Sequence, residues 1–233
     1  MADAGFFTQP PPEPTTVRLI DDRRMHVRRV FCIGRNYADH VAEMGGHVDR
    51  DPPVFFTKPA DAVMCEPDTI PWPIGTRDLH HEVEWVVALV DGGRDLSREA
   101  AAGCVGAHAV GLDLTRRDLQ LTAKETGGPW DTAKAFDYSA PVSALVPGGL
   151  DTVAANTPLV LEVNGKRRQT STVDHMIWTV PALLAELSRL FELKCGDLVF
   201  TGTPAGVASL APGDKLDARL GSLARLTTAM GRP

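Results

Sequence analysis

The sequence has no excess of basic residues and no long apolar run. Its 24 lysines and arginines are outnumbered by 30 aspartates and glutamates, which gives a formal net charge of −6. This balance argues against a nucleic-acid-binding protein, which needs a basic face, and no polybasic segment is available for an anionic membrane surface. No apolar run reaches the roughly 18 residues that a membrane helix requires. We therefore expect neither a nucleic-acid partner nor a membrane partner.

Cysteine is scarce and is not paired in the sequence. Cys32, Cys65, Cys104 and Cys195 form no Cys-x-x-Cys motif, so neither a zinc knuckle nor a disulfide framework is predicted, and reduced thiols are expected. The N-terminus also lacks a basic region followed by an apolar core, which is the pattern of a secretory signal. Together these absences favour a cytoplasmic protein.

The order of apolar and polar segments predicts one mixed α/β, β-rich domain. Residues 1 to 16 are rich in proline and are expected to form an extended N-terminal arm, and residues 17 to 233 are expected to form a single domain. The main strands are predicted at 18–20, 30–33, 54–57, 83–90, 105–114, 159–163 and 198–200, and helices at 36–44, 97–104 and 180–191. Because strands and helices do not alternate regularly, a doubly wound fold is not expected.

Two carboxylates lie close together at the start of an otherwise apolar strand. Side chains alternate along a strand, so Glu82 and Glu84 point to the same face. The apolar run from Trp85 to Val90 implies burial, and buried carboxylates are costly unless a cation accompanies them. Hard divalent cations prefer oxygen ligands, and Asp113 in the second apolar run is a third candidate ligand. The alternatives are a solvated strand face and, for Asp113, a cap on the next helix.

His40 and Glu43 are three residues apart on a predicted helix and therefore share one face. A carboxylate beside an imidazole raises its basicity and fixes its tautomer, which suits a general base acting on water. Taken alone, this spacing is better explained by an incidental surface ion pair, because such pairs are common on helices.

Two further segments could contact an anionic ligand. Lys134 is flanked by small and aromatic residues, which allows burial near an anion or an apolar stem with a solvated ammonium group. The segment 201–206 could offer backbone N–H groups and a hydroxyl to a carboxylate, or could be an ordinary turn after a strand.

Several motifs occur in an order that is similar to one known family. They are residues 34–37 (GRNY), 56–59 (FTKP), 81–84 (HEVE), 112–118 (LDLTRRD), 163–165 (VNG) and 201–204 (TGTP), with His40, Glu43 and Lys134 between them. As an ordered set they resemble the fumarylacetoacetate hydrolase family from about residue 17 to the C-terminus. The likeness is greatest to the small single-domain members that act on acylpyruvates.

The resemblance implies a fold, a metal and a set of site residues. The expected fold is a β-roll with flanking helices, usually in a homodimer, and the expected cofactor is Mg²⁺ or Mn²⁺. The implied metal ligands are Glu82, Glu84 and Asp113; the implied catalytic residues are His40, Glu43 and Lys134; and the residues implied to hold the oxo-acid end are Arg117, Gln120 and Thr203.

The reaction implied by the resemblance is metal-dependent hydrolysis of a carbon–carbon bond in an acylpyruvate. The expected substrate is 3-fumarylpyruvate, which would be cleaved to fumarate and pyruvate in gentisate degradation. Decarboxylation of oxaloacetate and hydrolysis of another acylpyruvate stay open, because the same metal site serves each of them. An isomerase or hydratase of dienoic acids and a non-catalytic metal-binding protein are less favoured, because the His–Glu pair would be superfluous there.

Overall fold

The structure is a computed structural model that describes residues 13–43 and 52–232. The strands are β1 (Thr16–Arg18), β2 (Arg24–His26), β3 (Arg29–Gly34), β4 (Val54–Lys58), β5 (Val63–Cys65), β6 (Thr69–Ile70), β7 (Leu79–His80), β8 (Val83–Leu89), β9 (Val105–Leu112), β10 (Thr115–Arg116), β11 (Ala140–Val142), β12 (Val146–Pro147), β13 (Pro158–Val163), β14 (Lys166–Thr172), β15 (Asp197–Phe200), β16 (Lys215–Leu220) and β17 (Ala224–Met230). The helices are α1 (Ala38–Glu43), α2 (Arg98–Gly103), α3 (Arg117–Thr126), α4 (Asp131–Lys134) and α5 (Val180–Leu190).

A large mixed sheet forms the centre of the fold. Its strands lie in the order β4-β3-β15-β8-β9-β11-β5, and β12 pairs with β9. Most neighbours are antiparallel, whereas β15 pairs with β3 and β11 with β5 in parallel. Every residue of β8 is buried, which explains why its sequence shows no polar alternation after Glu84.

A second sheet covers the large one. Its order is β14-β13-β16-β17-β6, and β16 and β17 alternate between buried and more exposed residues, as expected for a sheet with one face in the core. Strand β9 packs against β16 and β17, so the main apolar core lies between the two sheets. The turn between β13 and β14 contains Asn164 and Gly165, both at positive φ (53° and 72°), as a two-residue hairpin requires.

The helices lie around these sheets. Ser97 accepts a hydrogen bond from the N–H of Ala100 at 3.1 Å and caps α2, and α2 packs against α5. Helix α5 carries Pro181 in its first turn, where a missing N–H is tolerated. No helix among residues 13–43 and 52–232 is long and apolar enough to cross a membrane.

The expected β-rich mixed fold is confirmed, with differences at particular elements. The first strand spans Thr16–Arg18 instead of 18–20, and the strand predicted at 105–114 ends at Leu112. Helices α3 and α4 were not predicted, because the ten-residue α3 is amphipathic with few apolar residues and α4 is a single turn. Most of the predicted arm and the end of the first predicted helix at Met44 lie outside the described residues.

Candidate active site

The ends of two central strands bring three carboxylates together. Glu82 precedes β8, Glu84 is its second residue and Asp113 directly follows β9. Strands β8 and β9 pair Val83 with Leu112, and the N–H of Asp113 donates to the carbonyl of Glu82 at 2.8 Å. One oxygen from each carboxylate lies within 4.8 Å of the other two, and all three residues are buried. The alternative of an exposed, solvated strand face is therefore wrong.

Asp113 does not cap the next helix, α3. Arg116 occupies the N-cap position of α3 and makes no capping hydrogen bond through its side chain. The Asp113 carboxylate instead faces two ammonium groups, Lys58 Nζ at 2.9 Å and Lys134 Nζ at 2.6 Å. The alternative of a helix cap is wrong for this residue.

Lys134 joins two of the three carboxylates. Its Nζ donates to Glu82 Oε2 and Asp113 Oδ2, both at 2.6 Å, and to Thr115 Oγ at 2.7 Å. These bonds engage all three protons of the ammonium group. Burial lowers the pKa of Lys134, but the charges of Asp113 and Glu82 outweigh it and raise the pKa above its usual value. The lysine is therefore a cation in this site.

Arg117 holds Glu82 from a second direction. Its guanidinium donates to Glu82 Oε1 at 2.5 Å, to the side-chain oxygen of Gln120, and through Nε to His80 Nδ1 at 3.3 Å. Arg117 and Gln120 are buried and lie one turn apart in α3. The first turn of α3 thus positions the two residues expected to hold the oxo-acid end.

The two glutamates have opposite electrostatic environments. Burial raises the pKa of Glu82, but the charges of Lys134 and Arg117 outweigh it and hold that pKa well below its usual range. For Glu84, burial and the neighbouring charges of Asp113 and Glu82 raise the pKa well above its usual value. Among residues 13–43 and 52–232, no lysine or arginine lies within 4 Å of the Glu84 carboxylate.

This donor set suits a hard divalent cation. The carboxyl group of Glu84 is buried and has no lysine or arginine partner in the described part of the chain. Asp113 Oδ1 lies 2.9 Å from Lys58 Nζ but accepts no hydrogen bond of favourable geometry there. Three converging carboxylate oxygens without sulfur or nitrogen are the ligands that Mg²⁺ and Mn²⁺ prefer. The triad of Glu82, Glu84 and Asp113 can therefore hold either ion.

The loop after β15 closes one side of the triad. The N–H of Gly202 donates to Glu84 Oε2 at 2.7 Å. Gly202 has φ of 102°, and a Cβ there would lie 2.7 Å from Cβ of Asn36, so only glycine fits this position. Thr203 follows, and its hydroxyl donates to the carbonyl of Val83 at 2.9 Å.

Gln169 in β14 holds this loop and was missed by sequence reasoning. Its amide nitrogen donates to Thr203 Oγ and to the carbonyl of Pro204, both at 2.8 Å. Its amide oxygen accepts from the N–H of Val83 at 3.0 Å and lies 2.9 Å from His81 Nδ1. Gln169 is buried, whereas its neighbours in β14 are exposed. A single polar residue in a polar strand offers no sequence signal for this role.

Lys58 is a second missed residue. It is buried at the end of β4, pairs with Asp113 and donates to the carbonyls of Lys134 and Leu114. A signal was present, because a lysine at the end of a strand whose first three residues, 54–56, are apolar is seldom fully buried unless it is paired.

His40 and Glu43 form a contact within α1. His40 Nδ1 lies 3.2 Å from Glu43 Oε2, and both oxygens of Glu43 accept from the N–H of Gly206 at 3.1 Å. His40 is buried and Glu43 is exposed. A proton on Nδ1 that is shared with Glu43 leaves the Nε2 lone pair of His40 available as a base.

One cavity with a volume of about 120 Å³ contains nearly all of the predicted site residues. Glu43 does not line it and reaches it through His40. The predicted residues that line it are His40, Glu82, Glu84, Asp113, Arg117, Gln120, Lys134 and Thr203. The other lining residues are Ile33, Gly34, Arg35, Phe56, Lys124 and Trp130. We call its most buried charged part, Glu82, Glu84, Asp113, Arg117 and Lys134, the floor.

Residues 29–230 match the family model described as fumarylacetoacetate (FAA) hydrolase, C-terminal. Oxaloacetate tautomerase YcgM of Escherichia coli strain K12 is 43% identical over 193 residues, which are 82% of this chain and 87% of the relative. The human mitochondrial oxaloacetate tautomerase FAHD1 is 39% identical over 206 residues, or 88% and 93% of the two chains.

A solved structure extends this similarity to almost the whole chain. The crystal structure of fumarylpyruvate hydrolase from Pseudomonas aeruginosa, in complex with Mn²⁺ and pyruvate, superposes with a TM-score of 0.94 at 41% identity. The match covers 97% of this chain and 99% of the other.

Proposed function

The chain belongs to the fumarylacetoacetate hydrolase family, and on that premise we propose that it is a metal-dependent hydrolase of acylpyruvates. Its expected substrate is 3-fumarylpyruvate, which water cleaves between C3 and C4 into fumarate and pyruvate. The observation that carries the proposal is a single cavity lined by both a buried carboxylate triad and the imidazole of a His–Glu pair. The first could hold a cation and the second could activate water.

The metal site in this proposal consists of Glu82, Glu84 and Asp113. A bound Mg²⁺ or Mn²⁺ supplies a Lewis acid that polarises the oxo-acid end of the substrate. The charges of the three carboxylates are already balanced by Lys58, Lys134 and Arg117. A bound divalent cation would therefore give the site a net positive charge, which favours an anionic ligand.

His40 is the proposed general base. Glu43 holds the Nδ1 proton, so Nε2 can take a proton from a water molecule in the cavity. The hydroxide formed in this way attacks the C4 carbonyl, and the bond between C3 and C4 breaks. C3 then takes up a proton and leaves as the methyl group of pyruvate, while C4 becomes the new carboxylate of fumarate.

Arg117, Gln120, Thr203 and Lys134 are proposed to orient the substrate. Arg117 and Gln120 present donors from the first turn of α3, which suits a carboxylate. Lys134 is placed to stabilise negative charge that develops on a substrate oxygen. Because all three of its protons are engaged, Lys134 can contact substrate only by giving up one of these bonds.

A second candidate activity is the interconversion of oxaloacetate tautomers, since the relatives of 39% and 43% identity carry that name. Such a reaction moves a proton at C3 and breaks no carbon–carbon bond. Decarboxylation of oxaloacetate is a third use of the same floor. Decarboxylation needs neither a base nor an activated water, so the His40–Glu43 pair favours hydrolysis over decarboxylation. Tautomerisation needs a base for the C3 proton, which His40 could also supply, so the comparison of substrates separates it from hydrolysis.

The deciding experiment compares two substrates on the same protein. The protein is stripped with EDTA and then loaded with Mn²⁺ or Mg²⁺. Loss of the enol absorbance of 3-fumarylpyruvate is followed together with the formation of fumarate and pyruvate. Oxaloacetate is followed by pyruvate release and by the rate of enol–keto exchange.

We expect metal-dependent formation of fumarate and pyruvate in equal amounts, with little turnover of oxaloacetate. Turnover of oxaloacetate without cleavage of 3-fumarylpyruvate would overturn the hydrolase proposal. We also propose that the protein is a homodimer in the cytoplasm. Sedimentation velocity measures the number of chains in the assembly.

A further inference from the structure

Two cations in the outer part of the cavity are unused by the proposed reaction. Arg35 directly follows β3 and Lys124 lies in the last turn of α3. Both line the cavity that contains the floor, but both are exposed, whereas the floor is buried. Arg35 also has φ of 62°, a left-handed conformation that is costly for a residue with a side chain and that concentrates at functional sites.

Among the residues that the structure describes, these two cations have no acidic partner. Within the described ranges 13–43 and 52–232, no carboxylate lies within 4 Å of the charged groups of Arg35 or Lys124. Burial lowers the pKa of Lys124, and the positive charges of Arg117 and Arg35 lower it further. The outer cavity therefore carries positive charge that an anionic ligand would neutralise.

An apolar surface in the same cavity lies beside Lys124 and beside the floor. Phe56 and Trp130 have ring centroids 5.7 Å apart, and Lys124 Nζ lies 5.5 Å from the Trp130 ring centroid. Ile33 lines the same cavity. Lys134 Nζ of the floor lies 5.0 Å from the Phe56 ring centroid, so side-chain contacts run from the floor through Phe56 and Trp130 to Lys124. Burial decreases from the floor to the two exposed cations.

We propose that Arg35 and Lys124 bind a second carboxylate at the far end of an extended 2-oxo acid. The inference rests on the proposed function, which places the oxo-acid end of the substrate at the floor. This second contact makes the enzyme selective for long dicarboxylic acylpyruvates over acylpyruvates with neutral tails. The flat, apolar middle of such a molecule lies along Phe56 and Trp130.

The two candidate substrates differ at this point. In 3-fumarylpyruvate the second carboxylate lies three bonds beyond C4, after a planar double bond. In oxaloacetate the second carboxylate is C4 itself and stays beside the floor. Arg35 and Lys124 therefore contribute to the binding of the longer diacid only.

Binding of two inert ligands of equal length tests the proposal without catalysis. The ligands are 2-oxoheptanedioate and 2-oxoheptanoate, which have the same oxo-acid end, lack the C4 carbonyl and differ in the distal carboxylate. Isothermal titration calorimetry on the Mn²⁺-loaded protein gives the ratio of their dissociation constants. A distal carboxylate bound by two cations is expected to make the diacid at least about tenfold tighter.

Five variants, four at the two cations and one control, assign that ratio to residues. K124Q and R35Q are each expected to reduce the ratio of dissociation constants severalfold, and the double variant is expected to bring it close to one. R35K is expected to keep more of the ratio than R35Q. K166Q removes the same charge from an exposed hairpin position away from the cavity and should leave the ratio unchanged. Binding of 2-oxoheptanoate to each variant shows that the floor is intact.

The outcomes separate the two hypotheses. An equal ratio in the wild type and the double variant overturns the distal subsite, even if 3-fumarylpyruvate is cleaved. A ratio that falls equally in K166Q also overturns it, because the effect is then one of net charge. A high ratio that depends on Arg35 and Lys124, in a protein that does not cleave 3-fumarylpyruvate, supports the subsite and overturns the hydrolase proposal.

Discussion

The floor of the cavity and the His40–Glu43 pair are both acid–base arrangements, but they are built differently. The floor collects side chains from the ends of β8 and β9 and from helices α3 and α4. Glu82 and Asp113 each face two cations, and Glu84 accepts a hydrogen bond from the N–H of Gly202. The pair lies within the six-residue α1 and is held by one contact between its members and by the N–H of Gly206. Changes at the floor should therefore affect metal binding and stability, whereas changes in the pair should affect the reaction alone.

The largest expected effect comes from the metal ligands. D113N leaves Lys58 and Lys134 buried with one less negative charge, so we expect it to abolish Mn²⁺ binding and to lower the free energy of unfolding by about 3–5 kcal/mol. E84Q should also abolish Mn²⁺ binding but should not lower the metal-free stability, because the amide oxygen can still accept from Gly202. Calorimetric Mn²⁺ titration and urea unfolding in EDTA measure both. Equal destabilisation by the two variants would contradict the asymmetry described for the floor.

Removal of the imidazole comes next. H40A should lower kcat for 3-fumarylpyruvate by about a hundred- to ten-thousand-fold, the usual contribution of a general base, with Mn²⁺ affinity and thermal stability unchanged. Its effect on decarboxylation of oxaloacetate, followed by pyruvate release, should be much smaller, because that reaction needs neither a base nor an activated water. Equal losses on the two substrates would remove His40 from water activation.

The pH dependence of stability tests the floor without any substrate. The pKa of Glu84 is raised in the folded state, so its contribution to stability is complete below the unfolded pKa of about 4.3 and is lost as pH rises through the folded pKa. Metal-free wild type should lose stability from pH 5 upwards, with a slope of at most about 1.4 kcal/mol per pH unit for one proton. E84Q should lack this slope, and a slope equal to that of wild type would contradict the prediction.

The smallest effect is expected behind the floor, at Gln169. Q169L leaves the N–H of Val83 without its acceptor and Thr203 without its donor, which should cost about 1–3 kcal/mol of stability. If Thr203 orients substrate, KM should rise while kcat changes little. T170V alters the exposed neighbour in β14 and is the matched control. A Q169L variant with unchanged KM would show that the bond from Gln169 does not position Thr203.

The sequence predicted the strands of the centre more accurately than the segments that surround the cavity. Strands such as β3, β4 and β8 are apolar enough to be found from composition, and Asn164-Gly165 identifies its hairpin by turn chemistry. Helices α3 and α4, which carry Arg117, Gln120 and Lys134, were not found. Only the family resemblance pointed to Arg117 and Gln120, whereas the small and aromatic neighbours of Lys134 had already indicated that lysine. The local sequences of the two helices are polar or short, and tertiary packing holds them in place.

The sequence alone determined what depends on neighbours in the chain. Alternation along β8 places Glu82 and Glu84 on one face, and helical spacing joins His40 to Glu43. Only the tertiary structure decided what depends on distant segments. It sets Lys58 against Asp113, separates the pKa of Glu82 from that of Glu84, and brings Arg35 and Lys124 to one cavity. Local stereochemistry acts over a few residues, whereas burial, charge pairing and cavity shape arise only when strands and helices far apart in the chain pack together.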